Sequence, residues 1–164
     1  MKIFLQEAKN NKTVEALISL SKSNELPLQK EGWLFNWKKL AKEKGAMFYK
    51  LTTSENPHII EGMLMLTLID EEMIYMNNIE VAPHNYGKQG KFDNVAGSLI
   101  AFACYKGNEL GKNGYIGFVS FDSKTELADL YQKKYGATPF RGTKMFFEPK
   151  DGKALIKKYL LIDF

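Results

Sequence analysis

Small, amide and lysine side chains are concentrated where an apolar run ending at Pro83 gives way to a helical repeat near Val95. A helix N-terminus exposes unpaired N–H groups and carries about half a positive charge, which makes it a natural site for phosphate. Ala96 and Gly97 are small enough to let the backbone approach an anion, and Asn94 tolerates a left-handed conformation. The sequence therefore predicts a phosphate site at this junction, against the alternative of an ordinary solvated loop.

Lys88 and Lys91 bring mobile positive charge to the same junction, which favours an anionic ligand. The stretch is not a Walker-type phosphate loop, because Phe92 follows Lys91 where a magnesium-binding Ser or Thr would stand. The chain also contains no G-x-G-x-x-G, H-E-x-x-H or G-x-S-x-G pattern. Most familiar enzyme classes are therefore excluded by the absence of their motifs.

Few residues of this chain could support metal binding or thiol chemistry. Two histidines, His58 and His84, and one cysteine cannot build a zinc site of the usual kinds. Cys104 can form no internal disulfide, so a reducing cytoplasm is the expected compartment. This cysteine falls on the apolar stripe of a predicted helix, which favours a core role over a nucleophilic one.

Composition predicts a soluble globular protein with a single domain, residues 1–164. Hydrophobic residues make up 45% of the 164 positions and charged residues 26%. No apolar run approaches the roughly 18 residues of a membrane span, and the N-terminal segment lacks the apolar region of a signal peptide. A net charge of +4 suits an anionic small molecule as well as nucleic acid, so charge alone does not choose between them.

Hydrophobic periodicity predicts the elements that position these groups. In the first half of the chain two helices are predicted. In TVEALISLSKS, Val14, Leu17 and Ile18 lie on one side of the helix, and in GWLFNWKKLAKEK, Trp33 and Trp37 lie on one side. The predicted strands are KIFLQEA at an edge, MFYKLTTS, HIIEGMLMLTLI and MIYMNNIEVA. The last two are expected to form an antiparallel hairpin about the acidic turn 70–72.

The second half of the chain alternates helices and strands. A helix from about Val95 to Lys106 has an apolar stripe at helical spacing. Another, in SKTELADLYQKKYGA, has Ser123 as its expected N-cap and Gly136 just past its end. The other elements are a central strand GYIGFVSF, a strand TKMFFEP and a closing helix GKALIKKYLL. The order β-α-α-β-β-β-α-β-α-β-α predicts an α/β fold with a mixed sheet.

Two motifs within this order of elements resemble the GNAT superfamily of acyl-CoA N-acyltransferases. In that family a central strand ends in V-x-P and leads into a phosphate-gripping loop, [RQ]-x-x-G-x-[GA], that opens a helix. Here 81–83, VAP, supplies the strand end, and 91–96, KFDNVA, occupies the loop pattern, with Lys91 for Arg or Gln and Asn94 for Gly. The second motif, an Asn followed by A-x-x-L-Y-x-K-x-G-F, resembles KTELADLYQKKYGA, with Lys124 where the Asn is common.

The resemblance spans roughly Phe48 to Phe147, and the longer loop HNYGKQGK indicates a divergent branch. It implies a mostly antiparallel central sheet flanked by helices, with acetyl-CoA as cosubstrate and no metal. Pantetheine in this family lies like an added strand, so Ile79 and Val81 are implied through their main-chain groups. The full implied CoA-binding set is Ile79, Val81, Gly87, Lys88, Lys91, Asn94, Val95, Ala96, Gly97 and Ser98.

Catalysis requires a group that takes a proton, because an amine titrates near roughly 10.4 and must be neutral to attack. Glu80, a carboxylate at the end of a central strand, is the predicted base, and the alternatives are His84, a water relay or a Glu80 that only faces solvent. The resemblance implies Tyr131 as the general acid for the departing thiolate, with Tyr135 as its rival. The resemblance also implies that Trp33, Phe35 or Trp37 shapes the acceptor cleft, against the simpler alternative that the tryptophans are core residues.

The sequence thus predicts a cytoplasmic N-acetyltransferase that moves an acetyl group from acetyl-CoA to an amine in a ternary complex. The acceptor stays open among a small molecule, a peptide or protein, and a charged tRNA, with no membrane partner and a homodimer as one oligomeric state. Two alternatives remain. One is an inactive acyl-CoA-binding sensor of the same fold, and the other is a small basic nucleic-acid-binding module, suggested by the pI of about 9.0.

Overall fold

Nine strands form one mixed sheet, and the computed structural model describes residues 1–163. The strands are β1 (Lys2–Glu7), β2 (Thr13–Leu20), β3 (Ala46–Thr53), β4 (Ile60–Ile69), β5 (Met73–Val81), β6 (Phe92–Asp93), β7 (Val119–Asp122), β8 (Thr138–Arg141) and β9 (Lys144–Phe147). Their order across the sheet is β6-β1-β2-β3-β4-β5-β7-β9-β8. Of the pairs β1–β2, β1–β6, β2–β3, β5–β7, β7–β9 and β8–β9, only β5–β7 is parallel. The predicted mixed, mostly antiparallel α/β fold is therefore confirmed.

The helices are α1 (Trp37–Leu40), α2 (Val95–Leu110), α3 (Ala128–Tyr135) and α4 (Pro149–Leu155), and a π-helical turn (Ile156–Leu160) follows α4. Gly136 ends α3 with φ = +81°, and its N–H bonds back to the C=O groups of Gln132 and Tyr131. This confirms the predicted glycine stop, because glycine adopts the left-handed conformation without strain. Within residues 1–163, no helix has the length and apolar character needed to cross a membrane.

Two sets of residues form separate compact units. The first comprises Met1–Met65 and Asn78–Leu99. Its apolar cluster is built from the tryptophans of the α1 region and the methionines of β4. The buried members are Trp33, Trp37, Met63, Met65 and Ala82.

The second unit comprises Leu66–Asn77 and residues 100–163. Its core contains a row of aromatic rings. Phe121 stacks on Phe147 with ring centroids 5.3 Å apart, and it lies 4.8 Å from the ring of Tyr131. Tyr131 in turn lies near Tyr135, so α3 is packed on the strands through its aromatic face.

The helix predicted over TVEALISLSKS is wrong, because this segment is β2. Val14, Ala16 and Ile18 are buried, whereas Leu17 is 43% exposed. This period of two residues is that of a strand with one buried face. β-Branched residues also favour strands over helices, and β2 pairs with both β1 and β3. β1 is consequently not at the edge, because β6 pairs with its other side.

The long helix predicted over GWLFNWKKLAKEK is also wrong, because only the single turn α1 forms. The Asn36 side chain accepts the Lys39 N–H at 3.1 Å and caps this turn. The N–H groups of Leu34 and Phe35 are bound by the Glu80 carboxylate instead of entering a helix. A long-range contact therefore overrides the helical spacing of the tryptophans.

The hairpin of β4 and β5 is confirmed as neighbouring strands joined by the acidic turn. Asp70 has φ = +50° and Glu71 φ = +59°, and the Glu72 N–H bonds to the Ile69 C=O. Two consecutive left-handed residues give a type I′ turn, whose twist matches that of the flanking strands.

Several boundaries in the second half differ from prediction. The helix predicted to end near Lys106 continues to Leu110, and the strand predicted from Gly114 begins only at Val119 because a 3-10 turn occupies Asn113–Tyr115. Ser123 is not a helix cap, because its hydroxyl donates to the neighbouring Lys124 C=O. β8 and the two-residue β6 were not predicted, since neither has a long apolar run.

Candidate active site

The junction between β5 and α2 has the backbone conformation that the sequence predicted. Asn94 has φ = +72°, and the Ser98 N–H bonds to the Asn94 C=O at 3.0 Å. The N–H groups of Val95, Ala96 and Gly97 precede this bond, and such first-turn donors have no acceptor within their own helix. The start of α2 can therefore donate hydrogen bonds to an anion.

A glycine of β4 positions this helix start. A Cβ at Gly62 would lie 2.8 Å from Leu99 Cδ1 and 2.9 Å from Val95 Cγ1. The first turns of α2 therefore pack directly against the β4 backbone. Sequence reasoning missed Gly62, and its only signal was a lone glycine inside a strand pattern, which often marks a close approach.

The side chains of the predicted phosphate-binding turn divide by exposure. Asn94 is exposed and Ala96 partly exposed, whereas Val95, Gly97 and Ser98 are buried. The Ser98 hydroxyl has no hydrogen-bond partner in the described part of the chain. An anion at this turn would thus contact backbone N–H groups and the small Ala96 side chain. The residues of the turn therefore fit a phosphate group, because they offer donors and leave room for it.

The loop between β5 and α2 is folded back on itself. Its ends meet where the Lys91 N–H bonds to the His84 C=O at 3.0 Å. Lys91 also contacts the residue that follows β1, because its C=O accepts the Ala8 N–H. Gly87, Lys88 and Lys91 are exposed, and Gly87 has φ = +61°. The two lysines can therefore move toward an anion from a fixed backbone.

Gly90 closes this loop tightly, since a Cβ there would lie 2.6 Å from the Asn85 C=O oxygen. The Asn85 side chain also accepts the Phe92 N–H at 2.9 Å. The extra length of the loop is thus an ordered structure with a two-residue strand, and not a simple connector.

Glu80 lies at the end of β5 and is 5% exposed. Its carboxylate accepts the N–H groups of Leu34 at 2.6 Å and Phe35 at 3.1 Å, and the Trp37 Nε1–H at 2.9 Å. The Tyr86 hydroxyl donates to it at 3.4 Å, and burial together with this carboxylate raises the pKa of Tyr86. Glu80 does not face solvent, so that alternative is wrong, and the carboxylate fixes the segment before α1.

A second buried carboxylate, Glu61 on β4, was missed by sequence reasoning. It lies 2.5 Å from His84 Nε2, and the Asn85 amide donates to the same oxygen at 3.0 Å. Asn85 Nδ2 also reaches the Glu61 C=O, and the Ala82 N–H bonds to that oxygen. A carboxylate in an apolar strand was the signal that could have found it, because such a group must have a partner.

A cavity of about 530 Å³ opens beside this pair in the first unit. Polar and apolar side chains share its wall. The lining residues are Glu25, Leu26, Pro27, Glu31, Trp33, His58, Ile59, Ile60, Pro83 and His84. Of the predicted acceptor-cleft residues, Trp33 lines this cavity, Phe35 lines a second one of about 470 Å³, and Trp37 is core.

The remaining predicted residues lie on β5 and in the second unit. Ile79 and Val81 are half-buried, and the β5–β7 register covers only Ile74 to Met76. Burial raises the pKa of Tyr131, and burial with its tyrosine neighbours raises that of Tyr135 to about 12. Both hydroxyls therefore keep their protons well above neutral pH.

Cys104 is fully buried in α2, as the sequence predicted. A Cβ at Gly152 of α4 would lie 3.1 Å from the Cys104 Cβ, so the two helices touch at this point. Burial raises the pKa of the Cys104 thiol, which disfavours the reactive thiolate. Within residues 1–163, no cluster of three or more His, Cys, Asp or Glu could hold a metal ion.

The sequence matches no family model and no curated protein, but solved structures match the fold. AtaT complexed with acetyl-methionyl-tRNAfMet is 13% identical with a TM-score of 0.63, over 86% of this chain and 99% of that one. A mutant of the spermidine N-acetyltransferase SpeG of Vibrio cholerae is 12% identical with a TM-score of 0.59, over 84% and 95%. A GNAT family acetyltransferase of Elizabethkingia anophelis with acetyl-CoA bound is 19% identical with a TM-score of 0.55, over 77% and 78%. The chain has the fold of the GNAT acetyltransferases.

Proposed function

We propose that this protein is an N-acetyltransferase that moves the acetyl group of acetyl-CoA directly to an amine acceptor in a ternary complex. The observation that carries the proposal is the start of α2, where a left-handed Asn94 opens a helix packed on Gly62. Backbone donors at such a helix start suit a pyrophosphate. The shared fold with an acetyltransferase solved with acetyl-CoA bound supports the same ligand.

In this proposal CoA binds through the residues predicted from the sequence. The pyrophosphate accepts hydrogen bonds from the N–H groups at the start of α2, residues 95–97, beside Asn94, and Ser98 belongs to the same turn. Lys88 and Lys91 approach the phosphates from the exposed loop, where Gly87 allows the turn. Pantetheine runs along the β5 main chain at Ile79 and Val81, beyond the residues of β5 that pair with β7.

Tyr131 is the proposed general acid. Its raised pKa keeps the hydroxyl protonated, so it has a proton to give to the CoA thiolate as the C–S bond breaks. The base role predicted for Glu80 stays a prediction. The hydrogen bonds that its two oxygens accept from segment 34–37 favour a positioning role, in which Glu80 holds one wall of the acceptor region.

Replacing Ala96 with Glu tests the phosphate site. A carboxylate at this partly exposed position repels the CoA phosphates, so we expect acetyl-CoA affinity to fall by about tenfold or more. Calorimetric titration measures the affinity, and the rise in Tm with acetyl-CoA gives a second readout. Gln132→Glu, which adds the same charge on an exposed face of α3, is the control and should bind as the parent does. Equal binding by A96E and the parent contradicts the phosphate assignment.

Turnover is tested with radiolabelled acetyl-CoA and a panel of amines, peptides and methionyl-tRNA. Acetylated product from any acceptor, lost on Tyr131→Phe with acetyl-CoA binding retained, supports the enzyme. Acetyl-CoA binding with no product from any member of the panel favours the sensor alternative instead.

A further inference from the structure

Glu61 and His84 form a pair that takes no part in the proposed binding of CoA or in the proposed protonation of the thiolate. Glu61 is 1% exposed and lies beneath the ring, whereas the His84 side chain is 41% exposed. The Glu61 carboxylate meets Nε2 of this ring. A carboxylate that accepts Nε2–H holds the tautomer in which Nδ1 carries no proton, and Nδ1 is then free to accept one.

The environment of the pair suits a group that gains positive charge. A buried carboxylate needs a partner, and within residues 1–163 the only ion-pair partner of Glu61 is His84. A neighbouring carboxylate stabilises the imidazolium that forms when an imidazole takes up a proton. The Asn85 amide donates to the same oxygen and keeps the carboxylate in place. The arrangement therefore resembles the orienting half of a catalytic dyad, with its open side at the surface.

The open side is the 530 Å³ cavity, and its wall is acidic as well as apolar. Glu31 and Glu25 line it, and because Glu25 is paired with Lys50 at 2.7 Å, the negative charge of the wall comes from Glu31. The lining residues include neither Lys nor Arg, although the chain has 23 of them. Trp33 adds an aromatic surface to this wall. Such a wall favours a cationic ligand with an aliphatic part over a phosphodiester.

We propose that His84, oriented by Glu61, takes the proton of the acceptor amine, and that the acceptor enters this cavity as a small aliphatic primary ammonium compound. This inference rests on the proposed acetyltransferase function and names the base and the substrate class of that site. The cavity wall at Pro83 and His84 directly follows the end of β5, which is the strand proposed to hold pantetheine.

The ammonium group gives one proton to His84 Nδ1, and the nitrogen lone pair attacks the thioester carbonyl carbon. A C–N bond forms and the C–S bond breaks. The departing thiolate takes up the second proton that the nitrogen loses, and His84 passes its proton to water. The products are the acetamide, CoA thiol and one proton.

The test is the pH profile of kcat for the whole chain, with putrescine and spermidine as probes. The other ionisable groups of the cavity wall are Glu25, Glu31 and His58, and the His84 ring itself is paired with Glu61. A base that must be neutral makes kcat fall at low pH, and we expect His84→Gln to lower kcat by about 100-fold and to remove this acid limb of the profile. Glu61→Gln should lower kcat less and keep the limb, because the imidazolium loses its counter-charge while the base remains.

His58→Gln is the matched control, since it removes the other cavity histidine and should keep the limb even if KM changes. Glu31→Gln should raise KM for the amine and leave the limb in place. The Tm of each variant and its shift with acetyl-CoA establish that the variants fold and bind.

Two results would overturn this inference and leave the proposed acetyltransferase function in place. One is a parent that transfers acetyl groups while His84→Gln keeps both kcat and the limb. The other is faster transfer to methionyl-tRNA than to either polyamine at matched concentrations. A parent that transfers to no acceptor overturns the proposed function, and the inference with it.

Discussion

At the scale of single residues, Glu80 links the sheet to the segment before α1. Its carboxylate accepts two backbone N–H groups, of Leu34 and Phe35, and the indole N–H of Trp37, and no helix forms over Leu34 and Phe35. Each of these donors would lose its acceptor if the side chain were apolar. The conformation of residues 34–37 thus depends on one buried carboxylate.

Replacing Glu80 with Ala should lower the free energy of unfolding by about 3 kcal/mol, because the three donors of segment 34–37 lose their acceptor at about 1 kcal/mol each. Urea denaturation measures this change. Glu15→Ala is the control, since that exposed carboxylate pairs with exposed Lys2 and such surface pairs contribute about 0 to 1 kcal/mol. A loss at Glu80 no larger than that at Glu15 would show that the segment before α1 holds its place without the carboxylate.

Some residue-level features could be predicted from the sequence, and others could not. Asn94 and Gly136 were predictable because left-handed backbone depends on residue type and local position. Glu61 and Gly62 were not, because their partners lie far along the chain and meet them only through strand register and helix packing. Sequence periodicity contains no information on which strand residue faces which helix residue.

At the scale of elements, tertiary contacts decided two segments against their local spacing. The positions Val14, Leu17 and Ile18 fit a helix as well as a strand, and pairing with β1 and β3 selected the strand. In the region of α1, the hydrogen bonds to Glu80 left a single helical turn. Longer segments such as α2 and the β4–β5 hairpin were predicted, because their periodicity extends over many residues.

The packing of α2 on β4 can be tested at Gly62. Gly62→Ala places a methyl group 2.8 Å from Leu99 Cδ1, so we expect a loss of about 1 to 3 kcal/mol in the free energy of unfolding from overpacking. Adding Val95→Ala should recover part of that loss, since it removes the second contact at 2.9 Å. Denaturant melts of the single and double variants measure both effects.

Gly114→Ala is the control, because a Cβ there meets nothing within 4 Å. It should leave the unfolding free energy nearly unchanged. Equal effects at Gly62 and Gly114 would contradict the close approach of α2 to β4.

At the scale of the whole molecule, stability should depend on pH through the Tyr75–Asp122 pair of the second unit. The Tyr75 hydroxyl donates to Asp122 at 2.7 Å, and this bond holds the Asp122 pKa below its ordinary value. Burial and the same bond raise the pKa of Tyr75 to about 12. The Asp122 contribution is present above the unfolded pKa and is lost as pH falls through the folded one. The Tyr75 contribution is present below its unfolded pKa of about 10 and is lost as pH rises toward about 12.

Tyr75→Phe removes both contributions, so the difference in unfolding free energy between parent and variant should be largest near neutral pH and shrink at both extremes. Urea melts at a series of pH values measure this difference. Tyr115→Phe, at an exposed tyrosine, should give a flat difference across the same range. A flat difference for Tyr75→Phe as well would contradict the linkage.

The contact between Cys104 and Gly152 has a practical consequence for assays. CoA released by acetyl transfer carries a free thiol, and a colorimetric thiol reagent would report it directly. The protein's only cysteine is fully buried, and burial disfavours its thiolate. The native chain should therefore contribute almost no background colour, and any slow labelling of Cys104 would measure how often α2 and α4 separate.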